Sequence, residues 1–348
     1  MLATMIYGER DIRVEERPNP TLHLPTDAVV RVVASCVCGS DLWPYRGVNA
    51  VHSARPIGHE FVGVIEQLGA DVATLRVGDF VIAPFTVSDG TCSACRHGVT
   101  SACEHLGSFG ARDEHGFPID GCQGEFVRVP LADGTLVPVP APVDDALVPS
   151  LLTLSDVMST GHHAAVSAGV GAGSTVVVVG DGAVGLCGVL AAARLGAARI
   201  VAMSRHADRQ ALAREFGATD IVAERGTEGV AAVRDLLGEL ADCTLEAVGT
   251  EESMAQALGV TRPGGRLGFV GVPAGGPQLP VRQLFDTNIT VGGGMAPARA
   301  YIPQLLPDVL SGAINPGRVF DLELPLTDAA EAYAAMDERR AIKVLLRP

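Results

Sequence analysis

The sequence has no surplus of positive charge and no apolar run long enough to cross a membrane. Its 348 residues carry 26 lysines and arginines against 40 aspartates and glutamates, a formal net charge of −14. Binding to a phosphate backbone needs a basic surface, so we expect no nucleic-acid partner. The most apolar later stretch, 184–198, is interrupted by Arg194 and is too short for a bilayer. We expect a soluble protein with no membrane partner.

A secretory signal and a disulfide framework are also missing. Residues 1–18 carry charges where a secretory signal has its apolar run. Of the 8 cysteines, three crowd into the loop 89–103 instead of being spread along the chain. In a chain of this kind such crowding favours metal binding over disulfides, and we expect a cytoplasmic location.

The pattern of apolar residues divides the chain into two kinds of structure. The first part reads as short β-runs between glycines and prolines, at 28–34, 61–67, 80–83 and 125–130. From residue 174 buried strands alternate with amphipathic helices, which predicts a parallel sheet covered on both faces. The strands are expected at 175–179, 200–204, 220–222, 243–248 and 266–271, with a possible sixth at 289–292, and the helices at 184–195, 208–216 and 228–240.

This organisation predicts an α/β protein in three segments. Residues 1–155 form a β-rich domain, and residues 156–294 form a doubly wound nucleotide-binding domain. After residue 294 the chain is proline-rich and then ends in a helix-like segment, 327–339, and a strand, 342–346. Because residues 295–348 are too few for a core of their own, we expect them to pack on the first domain.

A glycine-rich motif indicates a dinucleotide site. The motif is GxGxxG, it directly follows an apolar strand and precedes a helix, and it consists of Gly180, Asp181, Gly182, Ala183, Val184 and Gly185. The first glycine allows a tight turn, the second admits the pyrophosphate, and the third lets helix and strand pack closely. The helix N-terminus attracts the phosphates. A glycine-rich turn without a ligand is the alternative.

The end of the second strand bears on the choice of coenzyme. NAD-binding sheets place an acidic residue about 20 residues after the motif. Here the chain reads Ser204-Arg205-His206, with Arg209 following, and we find no carboxylate there to repel a 2′-phosphate. Two guanidinium groups can clamp a phosphate, so we expect NADP(H) in preference to NAD(H). The alternative is that both arginines belong to a solvated helix start.

Two sets of residues are candidate metal sites. Cys38, His59, Glu60 and Asp156 offer sulfur, nitrogen and oxygen ligands that suit a catalytic zinc with an open position. Asp89, Cys92, Cys95 and Cys103 have the spacing of a closed structural zinc. Oxygen from Asp89 is a harder ligand than sulfur, so we expect weaker zinc affinity there. A metal-free loop of reduced cysteines, or a bridge formed on oxidation, is the alternative.

Taken together, these motifs resemble the zinc-containing medium-chain dehydrogenase/reductase family, in its alcohol dehydrogenase group. The resemblance covers nearly the whole chain and implies a GroES-like catalytic domain with a Rossmann domain. It implies that Cys38, His59 and Asp156 hold the catalytic zinc and that Glu60 is the nearby carboxylate that can exchange onto it. It also implies that Ser40 transfers the substrate's proton, and that Lys343 contacts the coenzyme as in bacterial relatives.

Two positions depart from the family pattern. A cysteine is usual where Asp89 stands, and a proton-relaying histidine is common where Trp43 stands. Tryptophan does not titrate, so the proton must leave by another route, and we expect Trp43 to narrow the pocket beside the zinc. Phe85 and Phe109 are further expected pocket walls.

The expected function is therefore zinc-dependent hydride transfer between NADP(H) and an alcohol and its ketone or aldehyde. An NAD-dependent polyol or amino-alcohol dehydrogenase, of the sorbitol or threonine type, is one alternative. A non-catalytic NADPH-binding protein is another, and a zinc-free reductase of the superfamily would lack the ligand set. Relatives form dimers and tetramers, so we expect a homodimer or homotetramer acting on a small molecule.

Overall fold

The computed structural model of the chain describes residues 1–273 and 279–348. These residues form two compact units. One contains Met1–Asp156 and Pro297–Pro348, and the other contains Val157–Ala296. No helix in the described part of the chain is both long and apolar enough to cross a membrane.

Most of the described strands belong to the first unit. In chain order, the strands are β1 (Leu2–Gly8), β2 (Asp11–Glu16), β3 (Ala28–Cys36), β4 (Arg55–Pro56), β5 (Phe61–Leu68), β6 (Phe80–Ala83), β7 (Thr86–Val87), β8 (Gly107–Ser108), β9 (Phe126–Val129), β10 (Val137–Val139), β11 (Thr175–Val179), β12 (Arg199–Met203), β13 (Asp220–Val222), β14 (Ala241–Glu246), β15 (Thr261–Phe269), β16 (Thr290–Gly293), β17 (Phe320–Pro325) and β18 (Lys343–Arg347). The helices, in the same order, are α1 (Leu42–Tyr45), α2 (Ser93–Arg96), α3 (Ala132–Thr135), α4 (Val148–Thr153), α5 (Val157–Ser167), α6 (Ala183–Arg194), α7 (Ala207–Glu215), α8 (Gly226–Leu237), α9 (Glu251–Val260), α10 (Val281–Thr287), α11 (Ala298–Leu310) and α12 (Ala329–Asp337).

The first unit is built on a mainly antiparallel sheet. Its strands run in the order β10-β6-β5-β3-β18-β17, and β9 also pairs with β3. The C-terminal strand β18 pairs antiparallel with β3, through Leu345 opposite Cys36. Alternate apolar side chains of β3, β5 and β6 are buried in one core with Phe61 and Ile65. The C-terminal segment thus completes the sheet of the first unit.

The second unit is a parallel sheet in the order β13-β12-β11-β14-β15-β16. Every pairing among these described strands is parallel. The strand order reverses direction between β11 and β14, which is where open α/β sheets bind their ligands at the carboxyl ends of the strands. The α/β class predicted from the sequence is confirmed, and most strand limits lie within two residues of those expected.

Sequence reasoning missed several helices. It indicates only a proline-rich segment at α11, because Pro303 and Pro307 lie inside this helix. Proline disfavours the interior of an isolated helix, but buried Ile302, Leu305 and Val309 hold α11 against its neighbours. α9 was also missed, although Thr250 and Ser253 form a capping box at its start.

Candidate metal centres and coenzyme site

Four side chains with metal-binding atoms meet in the first unit. Cys38 follows β3, His59 and Glu60 precede β5, and Asp156 follows α4. The ligand atoms of these four residues all lie within 4.8 Å of one another. The Asp156 Oδ2 atom is 3.5 Å from the Cys38 Sγ and 3.5 Å from the His59 Nε2. The structure therefore brings the sequence-predicted set together.

A further residue, Asp41, contacts the His59 ring and the backbone of Cys38. Its Oδ1 is 3.3 Å from the His59 Nδ1, and its Oδ2 accepts a hydrogen bond from the Cys38 backbone N–H at 3.0 Å. A carboxylate on one ring nitrogen leaves the other nitrogen of the imidazole aimed at the metal. Sequence reasoning missed Asp41, although its position three residues after Cys38 is a capping pattern that ties the two together.

The chemistry of the donor set fits a divalent cation. Cys38, Glu60 and Asp156 are three acidic groups in a buried cluster. Burial, reinforced by the neighbouring Asp156, raises the pKa of the Cys38 thiol, because a second negative charge there is unfavourable. A zinc ion would supply the missing positive charge and accept the S, N and O donors that are present.

Lys343 lies at this centre, in contact with Glu60. Its Nζ is 2.7 Å from the Glu60 Oε1 and donates to the Val37 carbonyl oxygen at 3.2 Å. The two side chains are 1% and 0% exposed, so the pair is withdrawn from water. The protein itself engages the ammonium group of Lys343, and the coenzyme contact expected for this residue stays a prediction.

The other oxygen of Glu60 is unengaged. The Oε2 atom is buried and has no hydrogen-bond partner in the part of the chain that the structure describes. Burial raises the pKa of Glu60, and the adjacent Lys343 opposes that increase. An acceptor left without a partner beside a metal-binding cluster is the geometry expected of a carboxylate that can turn toward a cation.

Ser40 and two aromatic residues stand next to the ligand set. The Ser40 hydroxyl donates to the Cys38 Sγ at 3.3 Å. Phe85 lies edge-on to the His59 ring with their centroids 6.4 Å apart, and Trp43 is a partly exposed residue of α1. Phe109 is different, because it packs edge-on to Phe61 within the core of the first unit. The expectation that Phe109 is a pocket wall is therefore wrong.

The second predicted metal set also comes together. The ligand atoms of Asp89, Cys92, Cys95 and Cys103 lie within 4.8 Å of one another, and the cysteines are unbridged. Backbone N–H groups donate to the sulfurs, among them that of Asp89 to Cys103 at 3.3 Å. Backbone hydrogen bonds lower the pKa of Cys92, whereas burial raises the pKa of Cys95 and of Cys103. A bound cation would offset that effect of burial, and the donor set suits a closed tetrahedral site.

Asp89 is well placed to be the oxygen ligand of that site. Its Oδ1 accepts backbone hydrogen bonds from Thr91 at 2.7 Å and from Cys92 at 2.9 Å. Burial opposes ionisation of Asp89, but these hydrogen bonds prevail and lower its pKa to about 2. The side chain is thus a fixed anion at neutral pH, with its Oδ2 held 3.9 Å from the His105 Nε2.

The glycine motif of the second unit has the geometry of a phosphate-binding loop. Gly180 has φ +119°, which favours glycine, and a Cβ at Gly185 would lie 2.0 Å from the Gly180 carbonyl oxygen. Gly182 is the N-cap of the 12-residue α6, and no described atom lies within 4 Å of the position of its missing Cβ. A group can therefore approach the backbone of Gly182 at the N-terminus of α6, and this loop fits a dinucleotide pyrophosphate.

The end of β12 differs from the sequence expectation. The Asp181 side chain reaches the carboxyl end of β12, because the motif loop runs beside it. Its Oδ2 accepts from the Ser204 hydroxyl at 2.8 Å, and its Oδ1 is 3.3 Å from the Arg209 Nη1. Arg205 is exposed. The expectation that no carboxylate faces this position is therefore wrong, since a carboxylate arrives from another segment.

A doubly wound parallel sheet with a dinucleotide loop, together with a mixed-donor metal centre on a separate β-rich unit, defines a metal-dependent dehydrogenase. Residues 24–141 match the family model of the alcohol dehydrogenase GroES-like domain, and residues 183–311 match that of zinc-binding dehydrogenases. A probable zinc-binding alcohol dehydrogenase of Mycobacterium tuberculosis is 35% identical over 100% of this chain and 89% of its own length.

Solved structures agree with these matches. An alcohol dehydrogenase from Thermus sp. ATN1 is 34% identical, with a TM-score of 0.90 over 100% of this chain and 99% of that one. A putative zinc-binding dehydrogenase from Sinorhizobium meliloti, solved bound to NADP, is 25% identical with a TM-score of 0.83, over 100% and 99% of the two chains. The chain belongs to the zinc-containing alcohol dehydrogenase family of medium-chain dehydrogenases/reductases, and it is a zinc-dependent oxidoreductase.

Proposed function

We propose that the protein transfers hydride between NADP(H) and an alcohol and its ketone or aldehyde. The observation that carries this proposal is the convergence of Cys38, His59 and Asp156, with the Ser40 hydroxyl 3.3 Å from the Cys38 sulfur. Zinc held by these ligands would act as a Lewis acid on the substrate oxygen, and the nicotinamide ring would exchange hydride at carbon.

The residues of the first unit have separate roles in this proposal. Cys38, His59 and Asp156 bind the metal, and Asp41 keeps the His59 ring in the required orientation. The Ser40 hydroxyl hydrogen-bonds to the Cys38 sulfur beside the metal site, and we assign to it the transfer of the substrate's proton. Trp43 narrows the substrate pocket and transfers no proton. We assign Lys343 to positioning Glu60 instead of to contact with the coenzyme.

The residues of the second unit bind the coenzyme. Gly180, Gly182 and Gly185 shape the loop, and the first turn of α6, with Ala183 and Val184, receives the pyrophosphate. Arg205 and Arg209 supply positive charge for a 2′-phosphate beside Ser204. The Asp181 carboxylate at the same place favours a ribose hydroxyl, and this supports an NAD-dependent polyol or amino-alcohol dehydrogenase as the second candidate.

We also propose a homodimer or homotetramer. Among the described strands, β16 is an edge of the parallel sheet, and the preceding α10 exposes 73% of Val281 and 76% of Phe285. Exposed apolar side chains beside an unpaired strand edge are typical of a contact with a second copy. A sedimentation mass equal to one chain would contradict this assembly.

The first experiment is a fluorescence titration of the zinc-loaded protein with NADPH and with NADH, followed by turnover assays on a panel of alcohols and ketones. We expect NADPH to bind about tenfold more tightly, which is about 1.4 kcal/mol. Tighter binding of NADH, with oxidation of polyols, would support the second candidate. Bound zinc and coenzyme without turnover on any substrate would indicate a non-catalytic binding protein.

The second metal set, Asp89, Cys92, Cys95 and Cys103, makes a separate prediction. We expect Asp89→Cys to slow loss of one zinc per chain to a chelator by at least about tenfold, since thiolate is the softer ligand. Metal content during dialysis against the chelator measures this. Asp71→Cys, which adds a thiol at an exposed position, is the control. If Asp89→Cys and Asp89→Ala both lose zinc at the wild-type rate, Asp89 is not a ligand.

A further inference from the structure

Three side chains form a hydrogen-bonded cluster where β11 and β12 end. Asp181 lies between the first two glycines of the motif loop, Ser204 directly follows β12, and Arg209 lies in α7. The Arg209 Nη1 donates to the Asp181 carbonyl oxygen at 3.2 Å and lies 3.3 Å from the carboxylate, which also receives the Ser204 hydroxyl at 2.8 Å. The Asp181 and Arg209 side chains are only 11% and 14% exposed.

This cluster places a carboxylate where strand β12 does not provide one. In NAD-binding sheets the acidic residue comes from the end of the second strand and receives the ribose 2′-hydroxyl. Here β12 is followed by Ser204, and the carboxylate comes from Asp181 across the loop. The end of β12 therefore holds an acidic group in contact with Arg209, and the exposed Arg205 follows Ser204 in the chain.

The two kinds of group favour different coenzymes. A 2′-hydroxyl can donate a hydrogen bond to the Asp181 carboxylate. A 2′-phosphate is repelled by that carboxylate and is attracted by Arg205 and Arg209. The Asp181–Arg209 ion pair cancels one of the two positive charges, so the site presents a net charge near +1 to a phosphate. No described hydrogen bond uses Nε or Nη2 of Arg209, which leaves that edge available.

We propose that Asp181 is a coenzyme-selectivity residue that limits the preference for NADPH and retains binding of NADH. This inference rests on the proposed function, because it assumes that Arg205 and Arg209 face the 2′-substituent. In this proposal, the choice between NADPH and NADH depends on the balance between one carboxylate from the motif loop and two guanidinium groups from the segment after β12.

The test is a fluorescence titration of the zinc-loaded Asp181→Asn protein with NADPH and with NADH. The amide keeps the size of the side chain and can still accept from Ser204, but it carries no charge. Compared with the wild type, we expect the variant to bind NADPH about fivefold more tightly and NADH at least about twofold more weakly. The ratio of the two dissociation constants then shifts by about tenfold toward NADPH. Asp181→Ser, a second neutral variant, is expected to shift the ratio in the same direction.

The matched control is Asp208→Asn, which removes the same charge from an exposed residue adjacent to Arg209. We expect it to change the ratio by less than about twofold, since an exposed charge is screened by solvent. An unchanged ratio in Asp181→Asn and Asp181→Ser, or a shift toward NADH, overturns the selectivity role while the proposed function stands. A wild-type protein that binds neither coenzyme overturns the proposed function itself.

Discussion

Replacing Cys38 with serine will lower turnover by at least about three orders of magnitude and leave NADPH binding within about threefold. A Lewis-acid metal contributes several kcal/mol to stabilising the transition state, and each 1.4 kcal/mol is a factor of ten in rate. The Cys38 sulfur is central to the cluster, since it lies 3.5 Å from Asp156 and accepts from Ser40 at 3.3 Å. Serine offers a hydroxyl oxygen instead, which is a harder ligand on a shorter side chain and does not ionise at neutral pH.

The measurement combines zinc content, steady-state turnover and a coenzyme titration on the same preparation. Coenzyme binding is expected to survive because the glycine loop and the arginines belong to the second unit. Cys122→Ser is the matched control, since Cys122 is also fully buried in the first unit and lies outside the ligand set. A Cys38→Ser protein with full zinc content and near-normal turnover would remove Cys38 from the metal site.

The parts of the molecule that sequence predicts best are those set by local patterns. The limits of β11, β6 and β13 follow from short apolar runs between turn residues, and the expected limits match the structure. The parallel sheet itself follows from the alternation of strand and helix, whereas the order of its strands was not predicted. Local patterns did not predict α11, because two prolines inside the helix argue against helix formation more strongly than its spacing of apolar residues argues for it.

The parts that sequence predicts poorly depend on contacts between distant segments. Asp181 and Ser204 are separated by 23 positions, and Lys343 and Glu60 by 283, yet both pairs are in hydrogen-bond contact. A motif shows which residue types are present but gives no direction for a side chain that crosses to a neighbouring strand. This is why the carboxylate beside Arg209 and the partner of Lys343 were both missed.

Replacing Lys343 with methionine is expected to destabilise the first unit by about 3–5 kcal/mol in the metal-free protein. Burial alone would lower the pKa of Lys343, but the adjacent Cys36 and Glu60 reverse this effect and raise it well above its usual value. The lysine therefore stays charged and balances Glu60. Without it, the fully buried Glu60 carboxylate loses its main counter-charge and keeps only the weaker effect of His59. Urea unfolding followed by fluorescence of Trp43, the single tryptophan, reports on this unit.

The pH dependence of the unfolding free energy tests whether the Glu60 charge causes this loss of stability. Burial already raises the pKa of Glu60, and loss of Lys343 removes the charge that opposes the increase. A carboxyl with a raised pKa in the folded state favours folding less as pH rises through the window between its unfolded and folded pKa. The difference in unfolding free energy between wild type and Lys343→Met should therefore shrink as pH falls from 7 toward 5. A difference that is constant with pH would point to packing as its cause.

A second substitution separates the charge from the shape of the side chain. Glu60→Gln combined with Lys343→Met leaves no buried charge in the pair, and we expect it to recover at least half of the lost stability. Lys343→Arg keeps the charge, and we expect no such recovery. The reason is size: a planar guanidinium is too large for the site of Lys343, whose side chain is 1% exposed.

Zinc should reduce the cost of losing Lys343. In the metal-free protein, His59 is left as the positive neighbour of Glu60, and it offsets the burial of the carboxylate less than Lys343 does. When zinc is bound, the free Oε2 of Glu60 has a positive charge nearby, and the loss of stability in Lys343→Met is expected to fall by at least about half. The difference between the two losses is the coupling between Lys343 and the metal. Equal losses with and without zinc would mean that Glu60 does not turn toward the ion, and Lys343 would then act only on the fold.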